Sequence, residues 1–254
     1  ERHNILNVSE REHEDAALSQ KDAARIARLK QELRKHRHTR THPGRDDKVL
    51  AAWNGLMITA FAKGYQAFGD PRYRAAALRT GKFLRAGMLR NGKVLRSYRN
   101  GVADIPGYLD DYAALGNAWL DLYEISFDAV WLEAAENLME SLHGQFQDGE
   151  QGAYCYTAEG QDDLIARTKP LTDSQVPAGN TLAAHALLRL GGILGKAVYR
   201  ERAAGIMRAA LPLAAQHPRA LPHMLLVMDA FAAPQTEILF VGPREGPHLQ
   251  ALCS

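Results

Sequence analysis

The sequence predicts an all-α fold of repeated helical hairpins set out as a toroid, and three observations carry that reading. Helical periodicity returns in rounds of about 40–70 residues, the signature of stacked supersecondary units. The helices alternate between apolar over most of their circumference and apolar on one face only, as buried inner and half-exposed outer helices do. The excursions between rounds differ in length and follow the outer helices, which suits loops at one end of a ring better than an open solenoid.

The elements follow in order. Over residues 12–38 the chain is charged; Ser19 can cap a helix, and Ile26, Leu29 and Leu33 mark one narrow apolar stripe, as on a connecting helix. From residue 46, Trp53, Leu56, Met57, Ala60, Phe61, Gly64, Tyr65 and Phe68 recur at 3-1-3-1 spacing, one broad face of an inner helix. Gly69 ends it, and Asp70-Pro71 restarts the chain as N-cap and first-turn proline of an outer helix running to about Met88. Asn91-Gly92 signals a tight turn and then a short strand.

The second round opens at Leu109, continues through Tyr112, Gly116, Trp119 and Tyr123, and turns at Asp128 into a partner ending near Phe146. A strand-rich excursion follows, in which Tyr154 and Tyr156 flank Cys155 as on one face of a small hairpin. Asn180 to Gly192 forms the third inner helix, and Tyr199, Ala203, Ile206, Met207 and Ala210 mark its partner. Leu221, Met224, Leu225, Met228 and Phe231 belong to a fourth inner helix, and residues 237–242, EILFVG, read as a strand. Inner helices are expected to start near residues 48, 109, 178 and 219, all at one end. The boundaries are a connecting segment over 1–44, hairpins over 45–235, and a strand and tail over 236–254. Three hairpins and one helix fall short of a six-hairpin ring, and Glu1 opens on an extended-looking stretch, Asn4 to Val8. An upstream portion is therefore expected.

Composition bounds the function. The chain has 254 residues, 46% hydrophobic and 24% charged, with a formal net charge of +2. That is ordinary for a globular domain and gives no field that selects nucleic acid or a membrane surface. No run approaches the roughly 18 apolar residues of a membrane span. Two cysteines, Cys155 and Cys253, lie far apart without a CxxC, which argues for a reducing, cytoplasmic setting and against a dithiol centre in this chain. His36, His38 and His42 sit among arginines and lysine without a carboxylate, so they read as a linker and no metal is expected. No nucleotide-binding or hydrolase motif occurs, and no cofactor is expected.

The polar residues of interest gather at the inner-helix starts. Arg45, Asp46, Asp47 and Lys48 precede Trp53 and Asn54; Tyr108, Asp110, Asp111 and Tyr112 open the second inner helix; Asp173, Pro177, Gly179 and Asn180 open the third. In a ring of hairpins these starts share one mouth. Asp and Asn there also serve as caps for orphan N–H groups, and Trp53 also begins the core stripe. A tandem pair is different, because successive helical residues point about 100° apart and one carboxylate can cap while the other faces the mouth. The expected division is Asp111 as cap and Asp110 as functional group. Carboxylates across a mouth, with Trp53, Tyr108 and Tyr112 as flat faces and Arg45, Asn54 and Asn180 as polar contacts, suit a sugar-like ligand. His185 and His223, on the third and fourth inner helices, offer an isomerase-like proton acceptor instead or serve as core histidines.

RDDKVLAAWNGLMITAFAKGY (45–65), GYLDDYAALGNAWLDLYE (107–124) and DSQVPAGNTLAAHALLRL (173–190) together resemble the thioredoxin-domain-containing protein family related to spermatogenesis-associated protein 20. The resemblance implies a thioredoxin-like domain followed by an (α/α)6 toroid of the six-hairpin glycosidase type, similar to N-acylglucosamine and cellobiose 2-epimerases. It implies that this chain holds the later hairpins, with the thioredoxin-like domain and first hairpins of the parent protein as partners. It also implies either a sugar-processing domain or a client-binding scaffold for the attached domain.

Overall fold

The computed structural model describes residues 19–148, 152–160 and 166–234. The chain divides into two compact units, Glu1–Asp46 and Asp47–Ser254. In the first, α1 (Gln20–His38) is capped by the Ser19 side chain, which accepts from the Asp22 N–H, and none of its residues is buried.

The second unit is a row of hairpins. The pairs are α2 (Ala51–Phe68) with α3 (Pro71–Gly87), α4 (Leu109–Ser126) with α5 (Ala129–Phe146), and α6 (Gly179–Leu194) with α7 (Ala197–Gln216). A 3-10 turn at Pro218–Ala220 leads into α8 (Pro222–Ala232). Inner helices therefore begin at 51, 109, 179 and 222, within a turn of expectation. Punctuation works as the residues predict. Gly69 takes φ +66° and donates its N–H to the Tyr65 carbonyl, ending α2, and Asp70 then accepts from the Arg72 N–H to start α3.

α4 is the centre of the row. It packs against α2, α5 and α6, and every residue from Asp111 to Leu122 is buried. Trp119, Tyr112, Leu115 and Leu120 meet Phe146 and Met139 of α5 in the core. α2 lies so close that a Cβ at Gly55 would stand 3.0 Å from the Ala114 backbone. The outer helices α3, α5 and α7 bury one stripe each, as their amphipathic pattern requires.

A small antiparallel sheet joins the first two hairpins. β3 (Lys93–Arg99) pairs with β1 (Val49–Leu50), β2 (Leu89–Arg90) and β4 (Val102–Pro106). Its tight turns, Asn91-Gly92 and Asn100-Gly101, take positive φ at both residues, which the Asn-Gly pair tolerates. β4, absent from the sequence expectation, pairs with β3 across the Asn100-Gly101 turn. The strand-rich excursion after α5 is a correction: its described residues form no strand. Gly152–Gly160 is instead an irregular segment held by Cys155 N–H to the Phe146 carbonyl (2.9 Å) and Tyr156 N–H to the Thr168 carbonyl (2.7 Å). The C-terminal strand expected at 237–242 and Cys253 lie outside the described residues.

Gly179 and Gly144 give opposed predictions. A Cβ at Gly179 would be driven into Asp110 Oδ1 and stand 3.0 Å from Leu109 Cγ, whereas one at Gly144 meets nothing within 4 Å. Gly179→Ala should lower stability by about 1–3 kcal/mol. Gly144→Ala should raise it by about 0.5–1 kcal/mol. Urea unfolding with unchanged slope reads both.

Candidate functional site

Carboxylates and one amide tie the inner-helix starts together. Asp111, fully buried, accepts through Oδ1 from the Ala52 N–H of α2 (3.0 Å) and through Oδ2 from the Tyr108 N–H (3.0 Å) and Arg96 Nη1 of β3 (3.0 Å). Asp110 lies against the start of α6, where a Cβ at Gly179 would be driven into its Oδ1, and the nearby Gly179 N–H and Tyr156 hydroxyl favour its carboxylate form. Asp173 accepts from the Ala178 N–H (2.8 Å) and the His223 N–H (2.9 Å), joining α6 to α8. The four starts therefore lie at one end, each within reach of the next. Asn180, fully buried, accepts from the Tyr154 N–H (2.8 Å) and donates to the Tyr154 and Pro170 carbonyls (2.9 Å each), fastening the irregular segment to α6.

The exposed part of this end is built around Asp110. Burial is the main force pushing its carboxyl above the ordinary range, and the neighbouring Asp111 carboxylate adds to it. The Tyr108 and Tyr156 rings stack at 5.0 Å and 24°, and the Arg96 guanidinium lies 4.9 Å from the Tyr108 ring centre. Asp110, Tyr108, Tyr156 and Arg96 are each half-buried, so a ligand can reach them. This arrangement can hold a proton on a carboxyl beside a flat aromatic surface.

Other expected site residues are placed differently. Tyr112, expected as an aromatic face, is a correction: it is 1% exposed, packs edge-on to Phe146 (5.1 Å), and its hydroxyl accepts from the Val94 N–H (3.1 Å). Asn180 is likewise committed to backbone inside the core. Asn54 donates to the Leu50 carbonyl (2.9 Å), its own helix start. Trp53 is 65% exposed on α2, one residue after the N–H that Asp111 holds. Asp47 pairs with Arg99 (2.7 Å) at the end of β3. Arg45 and Asp46 are exposed residues of the first unit. Among the described residues no group of three His, Cys, Asp or Glu could hold a metal ion, and no helix is long and apolar enough to cross a membrane.

Residue spacing did not reveal Arg96 or Tyr156. The one comes from β3 and the other from the irregular segment, and only tertiary contact brings both to Asp110. His185 lies further along α6, its ring 6.2 Å from that of His223. Burial, helped by Arg189, lowers its pKa to about 4. Deeper still, Arg189 joins Asp121 (2.7 Å) and Glu124 (2.7 Å) of α4, and Asp121 accepts from the Thr59 hydroxyl of α2 (2.5 Å).

Two predictions follow from this geometry. Asp111→Asn leaves Arg96 and two backbone donors competing for one oxygen, and should cost about 3 kcal/mol in chemical unfolding. His185 is depressed in the fold, so the unfolded chain takes up its proton first. Its stabilising contribution is present above about pH 6.5 and is lost as pH falls towards 4, by up to roughly 3 kcal/mol. His185→Gln should flatten that acid limb in melts from pH 7 to pH 4.

No family model matches the chain. Human spermatogenesis-associated protein 20 is 32% identical over 232 residues, which covers 87% of this chain and 29% of that protein. The chain thus spans less than a third of the length of this curated relative. Among solved structures, the GH76 α-mannanase of Bacteroides thetaiotaomicron superposes with a TM-score of 0.55 at 15% identity, covering 67% of this chain and 46% of that one. Cellobiose 2-epimerase from Spirochaeta thermophila gives 0.53 at 15% identity, covering 64% and 43%. The fold is that of the (α/α)6 toroids, and over these residues the chain is homologous to spermatogenesis-associated protein 20.

Proposed function

We propose that this part of the protein binds and processes a carbohydrate-like ligand at the end where the inner helices start, with Asp110 as the proton-exchanging group. The observation that carries the reading is the division within the tandem pair. Burial raises the pKa of both carboxyls, but Asp111 accepts three hydrogen bonds from helix starts and Arg96, whereas Asp110 is half-exposed and set beside the Tyr108–Tyr156 stack. A carboxyl that keeps its proton to higher pH suits general-acid work on a glycosidic or hemiacetal oxygen. The sugar-acting proteins that share the fold support the substrate class.

An epimerase-like proton abstraction by His185 is less well served, because a ring with a pKa near 4 is a weak base at neutral pH. One observation favours a second reading, in which the toroid is a scaffold presenting clients to an attached thioredoxin-like domain. Asp111, Asp173 and Asn180 all hold backbone rather than facing solvent.

The two readings separate in Asp110→Asn. Calorimetric titration of the parent protein with a panel of mono- and disaccharides should show binding that falls at least tenfold in the variant. A carboxyl raised in the fold contributes stability that is complete below its unfolded value near 3.9 and lost as pH rises through the folded value. The variant lacks that loss, so its melting temperature relative to the parent should rise with pH over the same range. If no sugar binds the parent and the variant only loses stability, the scaffold reading holds.

A further inference from the structure

We propose that the groove between α3 and α5, on the outer side of the second unit, is a docking surface for an acidic peptide segment. α3 carries Arg72, Arg74, Arg79, Lys82 and Arg85 and no carboxylate of its own. Arg72 is held by Asp70 (2.6 Å). Arg74, Lys82 and Arg85 instead line a cavity of about 790 Å³ with Leu78, Val130 and Trp131. Asp128 is the carboxylate on its wall, and it caps α5 by accepting from the Val130 N–H (3.2 Å). Arg74 reaches across to donate Nε–H to the Ile125 carbonyl (2.9 Å), and Arg85 lies 6.0 Å from the Trp131 ring centre. Among the described residues, Lys82 makes no hydrogen bond or ion pair. The groove therefore presents three cations against one carboxylate, a net positive charge.

Spacing selects the class of partner. Positions 74, 78, 82 and 85 fall on one helical face, and a rise of 1.5 Å per residue puts Arg74 and Arg85 roughly 16 Å apart along the axis. A single phosphate cannot span that distance, whereas about five residues of extended peptide do. Leu78 and Val130 between the cations give apolar side chains a place to rest. A single-stranded nucleic acid would need exposed rings for base stacking, and Trp131 is only 3% exposed. Carboxylates alternating with apolar side chains match both features. The inference is independent of the sugar-binding reading.

The test uses the full 254-residue chain and a fluorescein-labelled ten-residue peptide of alternating Glu and Leu, followed by anisotropy. Binding should weaken as salt rises. Lys82→Glu and Arg85→Glu should each weaken it at least tenfold. Arg79→Glu, with the same charge change on exposed α3 surface outside the groove, should weaken it less than threefold. Lys82→Gln adds no charge and should still lower affinity a few-fold, which keeps the test valid if a reversal unfolds the chain. The proposal is overturned if the peptide does not bind, if Arg79→Glu costs as much as Lys82→Glu, or if oligo-dT of equal charge competes equally well.

Discussion

The second unit depends on side-chain oxygens shared between neighbouring helix starts. A helix leaves its first N–H groups without partners, and ordinarily its own N-cap residue satisfies one of them. Here Ala51, Leu109, Gly179 and Pro222 open helices whose N-cap side chains make no capping bond. Asp111 and Asp173 supply missing acceptors from the adjacent helix or from the loop before it, and Asp110 lies against the start of α6. Each such bond fixes the height of one helix against the next. It also concentrates negative charge at the positive ends of aligned peptide dipoles, where that charge is most favourable.

A second tier of polar contacts does for the lower half of the inner row what these acceptors do for the upper. Arg189 of α6 grips Asp121 and Glu124 of α4, and Lys63 of α2 reaches Glu124 from the other side (3.2 Å). Removing Arg189 would leave the buried Asp121 without its counterion. The outer helices are joined more loosely, through long side chains such as Arg202 to Glu140 (2.8 Å) and Tyr199 to Glu136 (2.7 Å). That difference follows from ring geometry, because outer helices stand on a larger circumference and leave gaps that flexible polar residues bridge.

Helical periodicity made the hairpins legible, because an inner helix must be apolar nearly all round and an outer one cannot be. Convergence of Asp110, Asp111 and Asp173 could also be expected once the inner helices were taken as parallel. Identifying which aromatic residues stay exposed could not. Tyr112 and Tyr108 are four residues apart on similar sequence surroundings, yet the first is sealed by Phe146 and the second stacks with Tyr156 from a distant segment. Trp53 begins an apolar stripe and nevertheless remains largely exposed. The irregular course of Gly152–Gly160 was equally hidden. Alternating Tyr154, Cys155 and Tyr156 mimic a strand, but their backbone partners are Phe146, Thr168 and Asn180 rather than a neighbouring strand.

The shared acceptors also bear on how the unit moves. An isolated helix frays from both ends, since its terminal turns have the fewest bonds to lose. The first turns of α2, α6 and α8 cannot loosen singly, because the oxygen each would release belongs to a neighbour or also holds one in place. Breathing motion is therefore directed to the last turns, beyond Lys63 and Arg189, where Gly69 and Gly195 close α2 and α6 in a left-handed turn. The end that carries Asp110 is the rigid one, and a ligand arriving there meets groups already held in position.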